Sequence, residues 1–263
     1  MQYPPMSLYV HIPWCEKKCP YCDFNSYASS NIPEQDYLDC LIADLQIEAE
    51  SVQARELRSI FIGGGTPSLF SAKSLERLLQ AVAKKFHFTK DIEVTLEVNP
   101  ASADQRKFLD FFHAGINRLS IGVQSFNNSS LRDLGRIHTG IDGISAIKLA
   151  QTAGFSNINI DLMYGLPNQS EEEAVSDLNE AVLREAQHIS WYELTIEPNT
   201  IFYSNPPNLP KENTLEAIQE AGLAFLFENG FSRYEISAFS KLNHQCQHNL
   251  NYWRFGDYLG IGA

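Results

Sequence analysis

Three cysteines within eight residues, Cys15-Glu16-Lys17-Lys18-Cys19-Pro20-Tyr21-Cys22, constrain this chain more than any other feature. Gaps of three and then two residues let three thiolates converge on one centre from a short loop. On a cubane of four irons, three thiolates leave one iron without a protein ligand. A structural zinc site usually closes its tetrahedron with a fourth Cys or His at similar local spacing, and here Asp23 and Phe24 follow instead. A disulfide would leave an odd thiol, and the first residues carry no secretory-signal pattern. Reduced thiols in a cytoplasmic protein are therefore expected.

The thiols sit just after a strand, and that placement recurs along the chain. Ser7-Leu8-Tyr9-Val10-His11-Ile12 reads as a buried strand feeding the cysteine loop. Residues 33 to about 55 place Tyr37, Leu38, Leu41, Ile42, Leu45 and Ile47 at helical spacing, with Cys40 expected inside the stripe as a buried thiol. A second strand over 59–62 runs into Gly63-Gly64-Gly65-Thr66-Pro67, and a helix begins near Ser71. Glycines there expose backbone groups at close range to a ligand, because no Cβ intervenes. The run lacks the lysine of a P-loop and the spacing of a dinucleotide fingerprint, which disfavours a phosphate site.

Further strands are predicted over 92–98, 118–123, 157–163 and 188–194, with helices over 102–113 and 170–185 among the connections. Six strands alternating with six helices predict a parallel α/β fold with right-handed crossovers. A partial (β/α)6 barrel of TIM type is the expected form, and in a barrel the polar residues at the C-terminal ends of several strands meet at one mouth. Cys15, Gly64, Glu97, Gln124, Asp161 and Glu193 all fall at or just beyond such ends. Each alone reads as readily as a cap or a surface polar group, so their shared placement carries the argument.

Residues 1–200 are expected to form the barrel with its cysteine loop. Residues 201–263 are expected to form a covering segment that opens a further C-terminal region, with a helix over 214–229, an extended run over 231–239 and a loop at the glycine-rich end. His248, on residue type alone, is either an ordinary packed or surface histidine or a metal ligand. A net charge of −12 argues against a nucleic-acid surface. No apolar run approaches the roughly 20 residues that a membrane helix needs.

Tyr9-Val10-His11-Ile12-Pro13-Trp14-Cys15, the three-cysteine spacing, Gly63-Gly64-Gly65-Thr66-Pro67 and Asp161-Leu162-Met163-Tyr164-Gly165-Leu166-Pro167 occur in that order. In this the chain resembles the radical S-adenosylmethionine superfamily, and within it the coproporphyrinogen-oxidase-like branch, over essentially its whole length. The resemblance implies a 4Fe-4S cluster on Cys15, Cys19 and Cys22, with S-adenosylmethionine on the fourth iron. It places the methionine amino group on Gly64, Gly65 and Thr66, and puts Glu97 and Gln124 at the ribose hydroxyls or nearby. Arg136 and Asp161 would lie against the cofactor's polar atoms, Tyr9 and Tyr21 would line the site, and Thr195 carries over by position.

Oxygen-independent oxidases of that branch carry a further cysteine where this chain has Phe24. His248-Asn249-Leu250-Asn251-Tyr252-Trp253 resembles the hallmark of the HemW haem-chaperone subgroup. That resemblance implies His248 as an axial haem ligand, with Cys246 as an alternative attachment point. It also implies transfer of haem to a respiratory acceptor protein, homodimers and peripheral membrane association through a partner. The alternative is an oxygen-independent coproporphyrinogen III dehydrogenase using a 5′-deoxyadenosyl radical.

Overall fold

Alternation within each strand sets the architecture. The computed structural model describes residues 4–52 and 55–263. In β1 (Met6–Ile12), Met6, Leu8, Val10 and Ile12 are buried on one face, while Ser7 and Tyr9 on the other meet the inward side chains of the next strand. The same division holds in β4 (Glu56–Gly64), β5 (His87–Val98), β6 (Arg118–Gln124), β7 (Ile158–Tyr164) and β8 (His188–Glu193). Branched and aromatic residues turn toward the helices, and each such fully buried side chain contributes about 1.5–3 kcal/mol. The inner face is mostly polar.

These strands pair in parallel in chain order from β1 and β4 through β8. The crossovers carry α1 (Glu34–Ser51), α2 (Ala72–Lys85), α3 (Gln105–His113), α4 (Asn128–Asp133), α5 (Gly140–Thr152) and α6 (Glu171–Leu183). Starts are set by side-chain caps: Ser71 caps α2, and α5 and α6 open on capping boxes, Thr139 with Asp142 and Ser170 with Glu173. The result is the expected parallel α/β partial barrel. A small ladder between β2 (Trp14–Cys15) and β3 (Tyr27–Ala28) closes the base of the cysteine loop.

After residue 200 the chain adds to both edges of the same sheet. Following α7 (Ile201–Ser204) and α8 (Glu212–Glu228), β9 (Ser232–Arg233) and β10 (Ala238–Ser240) pair antiparallel, and β10 pairs antiparallel with β8. α9 (Gln247–Trp253) packs against β1 and β4, and β11 (Asp257–Gly262) pairs in parallel with β1. The last segment is thus a seventh parallel strand rather than a loop. Leu259 and Ile261 are buried, and Gly262 N–H donates to Asp44 Oδ2 at 2.8 Å.

Two further differences concern α1. It ends at Ser51, and Gln53 and Ala54, within the helix expected to reach Arg55, lie outside the described residues. Its buried stripe is Leu38, Leu41 and Leu45, while Cys40 and Ile47 are exposed. Cys40 is therefore not the buried thiol expected, because it lies two residues after Leu38 and one before Leu41, spacings that leave the face on which residues three and four apart line up. Among the described residues no helix is long and apolar enough to cross a membrane.

Candidate functional site

The cysteine loop is held at its neck and across its middle. Tyr27 N–H donates to Pro13 O (2.7 Å) and Ser29 N–H to Cys15 O (3.0 Å), while Lys18 Nζ donates to Phe24 O and Ser26 O, each at 3.0 Å. The glycine turn is docked directly on its root, with Gly65 N–H donating to Ile12 O (2.8 Å) and Thr66 N–H to Trp14 O (2.7 Å). Glycine is needed here on two counts. Gly64 has φ +116°, and a Cβ on Gly65 would lie 2.5 Å from the Trp14 carbonyl oxygen. Since that neighbour is backbone, Gly65→Ala is expected to displace the turn and destabilise the fold by about 1–3 kcal/mol in a denaturant melt.

From the other strands, the expected strand-end residues converge on the same mouth. Glu97 Oε2 accepts from Gly64 N–H at 3.0 Å. Asp161 accepts from Ser120 Oγ (3.0 Å) and Asn159 Nδ2 (2.7 Å). Gln124, at φ +69°, accepts from the Tyr192 hydroxyl at 2.7 Å. Arg136 crosses from the segment after α4, donating to Gly122 O (2.8 Å) and to Cys19 Sγ (3.5 Å), so it ties the cysteine loop to β6. Phe202 N–H donates to Pro20 O (3.0 Å) from α7 and closes the far side.

The mouth encloses a cavity of about 600 Å³, within the size range of cofactor sites. Of the residues predicted from sequence, Cys15, Cys19, Tyr21, Cys22, Gly64, Gly65, Thr66, Glu97, Gln124, Arg136, Asp161 and Thr195 all line it, and Phe24 stands on its rim. Two do not. The Tyr9 ring lies beneath, bonded to His11 Nδ1 (3.0 Å) and close to Phe61 and His248. His248 is buried under α9, its Nδ1 on Ser59 Oγ and its Nε2 on the Tyr252 hydroxyl. Sequence reasoning missed Ser120, Ser190 and Tyr192, which also line the cavity. Each stands two or four residues along a strand from an inward residue, and the period-2 pattern carries that signal.

Burial governs the electrostatics. It pushes Glu97 up to about 8, with the charge of Asp161 adding to the shift and the Gly64 N–H opposing it. Asp161 is likewise raised by burial, against hydrogen bonds from Ser120, Asn159 and Ser190. Burial also raises the Cys15 thiol, and hydrogen bonds from Thr66 and Ser26 oppose the rise. At neutral pH Glu97 is therefore mostly protonated. Its folded value exceeds its unfolded value, so the native state binds the extra proton between about pH 4.5 and 8. Stability should fall as pH rises through that window. Glu97→Gln is expected to flatten the fall, read as urea midpoints at pH 5 and pH 8.5.

The donor set suits an iron-sulfur cluster and a cationic ligand. Three thiols line the cavity together with the buried carboxyl groups of Glu97 and Asp161, and among the described residues Arg136 Nε is buried without a protein partner. Among the described residues no three Cys, His, Asp or Glu side chains converge on a single ion. A cubane asks for something else, since each of its ligated irons takes its own thiolate.

Fold and cavity together define a radical S-adenosylmethionine protein, and the family model for the Radical SAM superfamily matches residues 9–181. The chain is 54% identical over 265 residues to "Heme chaperone HemW" of Haemophilus influenzae, covering 99% of this chain and 69% of that protein. It is 51% identical to the protein of the same name from Escherichia coli, covering 100% of this chain and 70% of that one. Among solved structures, that of coproporphyrinogen III oxidase (HemN) from Escherichia coli, described as a radical SAM enzyme, superposes with a TM-score of 0.86 at 27% identity. That match covers 99% of this chain and 64% of HemN, so the chain spans less than two thirds of it. The chain belongs to the HemW family of the radical SAM superfamily.

Proposed function

We propose that the protein is a haem chaperone, which takes up haem and passes it to an acceptor protein, and that it carries a 4Fe-4S cluster with S-adenosylmethionine in the barrel cavity. The observation that carries the reading is its similarity, at 54%, 51% and 47% identity over nearly its whole length, to three proteins named heme chaperone HemW. Phe24 supports it, because the dehydrogenases that the sequence otherwise resembles have a cysteine at that position.

In this reading Cys15, Cys19 and Cys22 hold three irons. When bound, the cluster and S-adenosylmethionine would serve structure, redox gating or association with a partner. The chain's own contribution is placement. Gly64, Gly65 and Thr66 offer backbone atoms to the methionine end, and Glu97 stands ready to ionise beside a cation. Gln124 and Thr195 face the nucleoside, while Asp161 and Arg136 complete the polar wall and Tyr21 closes it. The segment around His248 receives haem. The acceptor is a respiratory haem protein, the working state is a cytoplasmic homodimer, and any membrane contact is peripheral, through a partner.

The test is an anaerobic titration of cluster-reconstituted protein with haem, followed by transfer to an apo haem protein. Uptake near one haem per chain, with loss to the acceptor, is expected. Absence of stoichiometric uptake, together with decarboxylation of coproporphyrinogen in the presence of a reductant, would replace this reading by the dehydrogenase.

A further inference from the structure

The hallmark helix α9 presents its histidine and its tyrosine very differently. His248 is only 4% exposed and both of its ring nitrogens are engaged: Nδ1 with Ser59 Oγ and Nε2 with the Tyr252 hydroxyl, each at 3.1 Å. The Ser59 hydroxyl donates to Ser7 Oγ at 2.7 Å, so Ser59 Oγ accepts from Nδ1–H. A neutral imidazole with its proton on Nδ1 has its lone pair on Nε2. Nε2 therefore accepts from the Tyr252 O–H, and an iron atom could reach that lone pair only by displacing Tyr252.

Tyr252, one helical turn further on, is 42% exposed. Its ring meets the His248 ring edge-on at 5.1 Å and the exposed Tyr258 ring at 5.3 Å. Trp253 and Phe255 expose further aromatic surface on the same turn, and Arg254 beside them is exposed as well. A flat apolar macrocycle with two carboxylates matches a surface of aromatic rings beside a cation. Phenolate oxygen is one of the established axial ligands of haem iron. At metal sites an outer group that hydrogen-bonds a ligand commonly fixes its orientation, and His248 is placed to do so for Tyr252.

On the haem-carrier reading, we infer that Tyr252 is the axial ligand of ferric haem and that His248 is its positioning residue. The bond formed is between the iron and the phenolic oxygen, and the bond broken is the phenolic O–H. No electron moves. The proton leaves the half-exposed Tyr252 hydroxyl directly to solvent, one proton for each haem bound.

The experiment titrates ferric haem into the cluster-loaded protein and reads visible absorption and resonance Raman spectra of wild type, Tyr252→Phe, Tyr252→His and His248→Gln. Far-UV circular dichroism confirms that each variant is folded. An iron-phenolate band in the wild type is expected. Tyr252→Phe should lose that band and bind haem at least about tenfold more weakly. Tyr252→His should restore uptake with an imidazole spectrum, and His248→Gln should keep the phenolate band at about tenfold lower affinity. An imidazole spectrum in the wild type that survives Tyr252→Phe and disappears in His248→Gln would overturn the assignment while leaving haem carriage standing. No haem uptake by the wild type would overturn haem carriage and this assignment together.

Discussion

Replacing Glu93 by alanine is expected to cost the fold about 3–5 kcal/mol, the range for removing one partner of a buried ion pair. Glu93 Oε2 lies 3.8 Å from Arg118 Nε, and Arg118 is 1% exposed. The other oxygen, Oε1, accepts from Gln247 N–H (2.9 Å), His248 N–H (3.4 Å) and the Cys246 thiol (3.3 Å), so one carboxylate fills the N-terminus of α9. Alanine would leave a buried guanidinium uncompensated and the helix start uncapped. Burial first, then Arg118, already holds His248 down to about 4, and the same two causes hold His188 well below its ordinary value. Both rings are thus neutral beside Arg118, and an imidazole, neutral or positive, cannot replace the lost negative charge.

The control for this prediction is a double-mutant cycle in urea. Arg118→Met alone strands the Glu93 charge, and the double variant Glu93→Ala/Arg118→Met strands neither. If the pair is coupled, the double variant should be less destabilised than the sum of the singles. Strict additivity would show that Arg118 is balanced by other groups, of which Asp161 is the other carboxylate that acts on it. Hydrogen exchange adds a second reading, because α9 amides should lose protection in Glu93→Ala before the strands do.

This floor of the barrel is also where the sequence was least legible. The strands announced themselves, since Leu8, Val10 and Ile12 alternate with Ser7, Tyr9 and His11, and the mouth residues could be read from their place at strand ends. Glu93, Arg118, Asn159, His188 and Tyr234 form a network through hydrogen bonds and charge only because five distant segments meet. No local period marks such a meeting. β11 was hidden for a different reason. Asp257-Tyr258-Leu259-Gly260-Ile261-Gly262 has weak strand propensity, with glycine at two of six positions. Its pairing with β1, and the Tyr37 hydroxyl that accepts from Ala263 N–H at 3.0 Å, supply what propensity lacks. Cys40 shows the reverse error, where an apolar-looking residue beside a helical stripe faces solvent because its position falls off the buried face.

Cys19→Ser is expected to remove the iron-sulfur cluster outright while leaving the barrel folded. Iron in such clusters is held by soft thiolate, for which a serine hydroxyl is a poor replacement. With only Cys15 and Cys22 left on the loop, a cubane would be held at two corners. The loss should not spread through the fold, because none of the three thiol residues belongs to the hydrophobic clusters and the loop's neck hydrogen bonds are made by backbone atoms. Anaerobic reconstitution followed by iron and sulfide analysis should therefore fall from about four of each per chain to near zero, with the broad visible absorbance gone and the far-UV circular dichroism unchanged. Cys40→Ser and Cys246→Ser supply the contrast. Cys40 is exposed on α1, and the Cys246 thiol, pushed up to about 12 mainly by burial, donates its proton to Glu93 at the floor of the barrel. Both variants should reconstitute fully. Full iron in Cys19→Ser, or loss of iron in either contrast variant, would show that the ligand set is not the one the loop presents.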